Sequence, residues 1–124
     1  MPLTFARPDL KAHEESVREN LREIVAGLAE LIGKKLTAYV GGAKDAAVVE
    51  RWIAGTEPDR DAEPRLRAAY HVVSFLAEYD EPAVIQAWLV GLNPQLEHQS
   101  PLYLFRKGEH QAVLSGALAF TTEG

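Results

Sequence analysis

Apolar residues recur along this chain at intervals of three and four, the spacing that gathers them on one face of an α-helix. The clearest run starts at His13. Val17, Leu21, Ile24, Val25, Leu28, Leu31 and Ile32 share one face, and Arg18, Glu19, Arg22, Glu23 and Glu30 occupy the other. Gly33 ends this helix, with Lys34 and Lys35 beside its negative C-terminal pole. Residues 1–12 contain Pro2 and Pro8 and show no periodicity, so an irregular leader is expected there. Two short segments follow, 36–40 and 45–54, separated by Gly41-Gly42. Asp45 is placed to cap the second, whose apolar stripe is Val48, Val49, Trp52 and Ile53, and Gly55 stops it. The stretch LTAYV is long enough for a strand but finds no partner segment with alternation.

After the polar loop TEPDRDAEP, a helix is predicted over 64–79, with Leu66, Ala69, Tyr70, Val73, Leu76 and Ala77 inward. Asp80 and Pro82 open another, whose buried face is Val84, Ile85, Trp88 and Leu89, and Gly91 ends it. Asn93-Pro94 marks a turn, because proline disfavours helix at the residue before it. Ser100-Pro101 repeats the cap-then-proline start, and after Gly108 a last helix carries Val113, Leu114, Ala117 and Phe120. The pattern predicts an all-α fold, a compact bundle of about six or seven helices. It divides into a leader (1–12), an N-terminal half (13–60) and a C-terminal helical region (61–124), the two halves forming one shared globular unit.

Composition narrows the function. With 124 residues, 47% hydrophobic and 25% charged, this is an ordinary globular chain of one domain or two small subdomains sharing a core. No cysteine is present, which removes disulfides and thiolate metal sites and fits a reducing cytoplasm. No apolar run reaches membrane-spanning length, and the first fifteen residues lack a signal-peptide core, so the protein is expected to stay where it is made. The net charge of −5 argues against a surface that is basic all over. The histidines, at 13, 71, 98 and 110, form no i, i+4 pair. Ser100 reads as a helix cap before it reads as a nucleophile, and the DRDAE cluster reads as a solvated loop. Nothing points to catalysis, a metal or a cofactor.

The segment from Lys35 to Gly55 has the spacing of a helix-turn-helix, which would place its second helix in a DNA major groove. Its ending, Arg51-Trp52-x-x-Gly55, resembles Xre-type regulators, in which the tryptophan packs into the core and the glycine closes the helix. Between Gly33 and Gly55 four basic residues face two acidic ones, a net +2 sufficient for a few phosphates. Lys35, Lys44 and Arg51 are the candidate DNA contacts. Base-edge readers such as Asn and Gln are missing from the second helix, so a unit that only packs or dimerises competes evenly with one that reads DNA.

The C-terminal half carries a more specific pattern: Trp88, Leu89, Asn93, Pro94, Leu96, Pro101, Gly108, Val113, Ala119 and Phe120. Together with the helix-turn-helix region, it resembles the Xre/MbcA/ParS antitoxin family over about residues 14–121. Physically, Trp88 would pack in the core, Asn93-Pro94 would set the turn, Leu96 and Leu102 would anchor it, and Pro101 would start a helix. The resemblance implies an antitoxin that occludes a RES-domain toxin that degrades NAD⁺, represses its operon through operator DNA, and carries no chemistry of its own. Arg106, Lys107, His110 and Gln111 are further candidate toxin contacts. Two other readings stand beside it: a helix-turn-helix regulator without a toxin, and an interaction protein that has lost both activities. Apolar stripes on nearly every helix point to a homo-oligomer whose contact face the sequence does not choose.

Overall fold

A computed structural model describes residues 2–123. Among them the chain forms seven α-helices: α1 (Pro2–Ile32), α2 (Lys34–Gly41), α3 (Ala47–Ala54), α4 (Ala62–Leu76), α5 (Pro82–Val90), α6 (Pro101–Lys107) and α7 (His110–Glu123). A 3-10 turn over Pro94–Leu96 links α5 to α6. No strand occurs among the described residues beyond an isolated bridge between Asn93 and Gln99. The all-α expectation holds, and LTAYV is helical.

The stripe read from the sequence is the face α1 buries. Leu21, Val25, Leu28 and Ile32 are all in the core. Opposite them runs α4, which packs against α1, α2, α6 and α7. Its Leu66, Ala69, Val73 and Leu76 are fully buried, each leucine contributing about 1.5–3 kcal/mol of burial. Arg67 fastens the two helices. Its Nη1 donates to Asn20 Oδ1 at 2.9 Å, its Nη2 to the Val17 carbonyl at 3.2 Å, and its Nε to Glu63 at 2.9 Å. Thr37, the buried polar residue of the core, is satisfied locally by donating to the Gly33 carbonyl at 2.8 Å.

Glycine marks the joints. Gly33, at φ 88, separates α1 from α2 by a single residue, a left-handed geometry that side-chain-bearing residues rarely adopt. Ser100 caps α6 as expected, its Oγ accepting from the Tyr103 amide at 3.1 Å.

Several expectations need correction. Residues 2–12 are not an irregular leader: α1 begins at Pro2, eleven residues before His13. Pro2 costs no hydrogen bond in a first turn, and Pro8 lacks one amide donor without stopping a segment whose Leu, Ala, Arg and Lys favour helix. Asp45 does not cap α3. It lies in the turn before, and the helix opens from Ala46 with no side-chain cap. Asp80 does not cap α5 either. Its amide bonds the Leu76 carbonyl at 2.9 Å, so it closes α4, and the position before Pro82 falls to Glu81. Val84, expected inward, is 42% exposed.

Candidate functional site

Two regions gather the residues singled out in the sequence. In the first, α2 and α3 cross closely because Gly41 has no side chain: a Cβ there would lie 2.5 Å from Trp52 Cη2. Trp52 is buried, and Gly55 closes α3 at φ 126. Arg65 of α4 completes α2 by donating to the carbonyls of Val40 (2.9 Å) and Gly41 (3.2 Å). Lys35, Lys44 and Arg51 are exposed in the first turn of α2, the intervening turn and the last turn of α3, and none makes an ion pair with a described residue. Lys34, by contrast, is held at 2.7 Å by Glu50, whose carboxyl pKa it lowers by hydrogen bond and charge. That pair neutralises part of the local positive charge.

The second region is the corner built by the end of α5, the 93–99 turn and α7. The Asn93 Oδ1 accepts from the Gln95 amide at 2.9 Å, and its carbonyl accepts from the amides of Leu96 and His98, both at 2.9 Å. Glu97 and His98 then take left-handed backbone, at φ 57 and 63, to bring the chain back to Ser100. Leu96 is buried against Gly116, where a Cβ would lie 3.2 Å from Leu96 Cδ2. Pro94 is exposed at the start of the 3-10 turn, and Pro101 is buried at the start of α6.

Shallow clefts of about 400 Å³ flank this turn. One is lined by Trp88, Leu92, Asn93, Pro94, Gly116 and Phe120. The other includes Leu96, Leu104, Lys107 and Glu109. The indole of Trp88 lies 5.8 Å from the Phe120 ring, which joins α5 to α7, and its Nε1 is buried with no protein acceptor. Leu92, at the rim, is 74% exposed; Val90 and Leu118, on the adjoining helices, are about half-exposed.

The remaining candidates lie on α6 and α7. Arg106 stacks on Tyr39 of α2 at 4.5 Å. Lys107 sits 3.6 Å from Glu109 and over the Tyr103 ring. Gln111 is exposed on α7. His110 is half-buried beside Phe105, and its Nδ1 has no partner. Burial first, and then the charge of Arg65, lower its pKa from the usual 6.5. The unfolded chain therefore binds this proton more readily than the folded one. The stability His110 supports is present above its ordinary pKa and is lost as the pH falls toward the lowered folded value. Denaturant midpoints measured from about pH 7 to about pH 5 should fall less steeply in His110→Gln than in the wild type.

Sequence reasoning missed Leu92, Gly116 and Arg65. One signal pointed toward the first: the α5 segment PAVIQAWLV is apolar nearly all round, more than one buried face requires. Among the described residues no cluster of three or more His, Asp or Glu could hold a metal ion, and no helix is long and apolar enough to cross a membrane.

These features define an all-helical bundle with an exposed apolar corner where α5, the 93–99 turn and α7 meet. No family model matches the chain. It is 36% identical over 98 residues to the mycobacterial cidal antitoxin MbcA of Mycobacterium bovis and of Mycobacterium tuberculosis, covering 77% of this chain and 86% of the relative. The fold matches a chain in the crystal structure of the M. tuberculosis MbcT–MbcA toxin–antitoxin complex, with a TM-score of 0.71 and 31% identity over 83% of this chain and 95% of that one. The chain belongs to the MbcA-type antitoxin family.

Proposed function

We propose that this protein is the antitoxin of a type II toxin–antitoxin pair and binds a cognate protein toxin of the RES-domain, NAD-degrading class, covering its active-site entrance. The observation that carries the reading is the match of sequence and fold to MbcA, a protein solved in complex with the toxin MbcT. The corner beside Trp88 supports it physically. It offers exposed apolar surface at Leu92, Val90 and Leu118. The protein inhibits by occlusion and contributes no catalytic group. Co-expression with the toxin encoded beside it should yield a complex that survives purification and restores growth. Absence of a complex at micromolar concentrations would overturn the reading.

Operator binding is a second activity, favoured by the exposure of Lys35, Lys44 and Arg51 without ion-pair partners. A gel-shift titration on the DNA upstream of the gene checks it. Wild-type binding should weaken as salt rises. Replacing all three residues by Ala should flatten that salt dependence by about 0.9 in slope for each phosphate the protein no longer neutralises.

A further inference from the structure

The outward face of α3 carries a charge of the wrong sign for a nucleic-acid partner. Val49 and Trp52 bury one side of this helix. Ala47, Glu50, Arg51 and Ala54 are exposed, at the spacing of three and four that gathers them on the other side. Glu50 and Arg51 alone set the charge there, and a bare carboxylate would repel a phosphate. Glu50 is not bare. Its Oε1 accepts from Lys34 Nζ at 2.7 Å, across sixteen positions of the chain. Lys34 opens α2 directly before Lys35, and Glu50 directly precedes Arg51. The pair thus lies one residue away from two of the three candidate DNA contacts. Both partners stay reachable from solvent, their side chains 47% and 63% exposed.

We propose that Lys34 is a phosphate-binding lysine held in check by Glu50, whose carboxylate stands in the place of a DNA backbone phosphate. This inference rests on the operator-binding reading and concerns how tightly that surface holds nucleic acid. An ammonium accepts a carboxylate and a phosphate as partners through the same charge-assisted hydrogen bond. When Lys34 turns to a phosphate it neutralises one negative charge and uncovers another, so the exchange adds nothing to counterion release. The hold on DNA then comes from Lys35, Lys44 and Arg51, and the contribution of Lys34 stays latent. Backbone phosphates are the same in every sequence, so the check applies to operator and unrelated DNA alike. A brace between α2 and α3 is the competing role. Exposed ion pairs hold little of a fold, and these helices already meet through Gly41 and the buried Trp52.

Fluorescence anisotropy across a salt series tests it, using the full chain, the duplex upstream of the gene and a scrambled duplex of equal length. Glu50→Gln keeps an acceptor oxygen beside Lys34 and removes the charge, so it should melt like the wild type. It should bind both duplexes about five- to tenfold more tightly near 0.1 M salt, and steepen the slope of log K against log salt by about 0.9. Adding Lys34→Gln should return affinity and slope to wild-type values. Glu97→Gln makes the same change in net charge at the 93–99 turn, outside the α2–α3 unit, and should leave the slope unchanged. Wild-type binding with no gain in Glu50→Gln overturns the inference alone and leaves operator binding standing. So does a gain that survives Lys34→Gln or is matched by Glu97→Gln, since either makes it an effect of overall charge. Weaker operator binding in Glu50→Gln would make Glu50 an acceptor for a base edge and also overturns it. Absence of DNA binding in both wild type and Glu50→Gln overturns the operator reading and this inference together.

Discussion

Leu92→Asp is expected to fold and melt like the wild type and to weaken binding of a cognate toxin by about a hundredfold or more in Kd. The side chain is 74% exposed at the rim of the cleft formed by Trp88, Asn93 and Phe120, so its replacement removes almost no packing from the isolated protein. In a complex that covers this corner the substitution acts twice. It forfeits about 1.5–3 kcal/mol of leucine burial and leaves a carboxylate to be stripped of water without a partner. Titration calorimetry against the purified toxin, alongside thermal melts of the free protein, separates binding from stability. Unchanged affinity would move the interface away from this cleft while leaving toxin binding itself untouched.

Gly41→Val should carry the largest penalty in stability, about 3 kcal/mol, read as a fall of about 10 °C in Tm or a proportionate drop in urea midpoint. The physical reason is a lack of room to yield. A Cβ at this position already meets Trp52 Cη2 at 2.5 Å and Cζ3 at 2.9 Å, with Leu66 Cδ2 at 3.6 Å. Trp52 is a rigid ring at 6% exposure, held between helices, so it cannot swing into solvent as an arginine would. The two methyls of valine therefore push α2 and α3 apart. A melting temperature within a degree or two of the wild type would show that the α2–α3 crossing is looser than its contacts imply.

Much of the architecture was legible because helices announce themselves locally. The three-and-four spacing of Leu21, Val25, Leu28 and Ile32 was enough to find the buried face of α1, and Gly33, Gly55, Gly91 and Gly108 stand at the ends of helices as expected. Capping was harder, because one residue type serves opposite ends. Ser100 does start α6, whereas Asp80 closes the helix before it and Asp45 sits within a turn. Long-range pairings left no trace in the sequence. Arg65 reaches carbonyls 24 and 25 positions earlier, Gln86 donates to the Leu31 carbonyl across 55, and Arg106 finds Tyr39. The corner was half legible. Trp88, Asn93, Pro94 and Leu96 stood out through their pattern, while Leu92 and Gly116 depend on how α5 and α7 come together in space.

The central position of α4 bears on how the two ends of this molecule can be studied. One helix supplies buried wall to α1 and α2 from the first half of the chain and to α6 and α7 from the second. Cutting the chain in the 55–61 loop would hand that wall to one fragment and leave the other with an open apolar seam. Half-length chains would then lose their partners through aggregation, whichever end truly binds them. Chimeras that exchange one half for a relative's would inherit the same mismatch along Leu66, Val73 and Leu76. Dissecting this protein calls for surface changes made one end at a time, with the spine left whole.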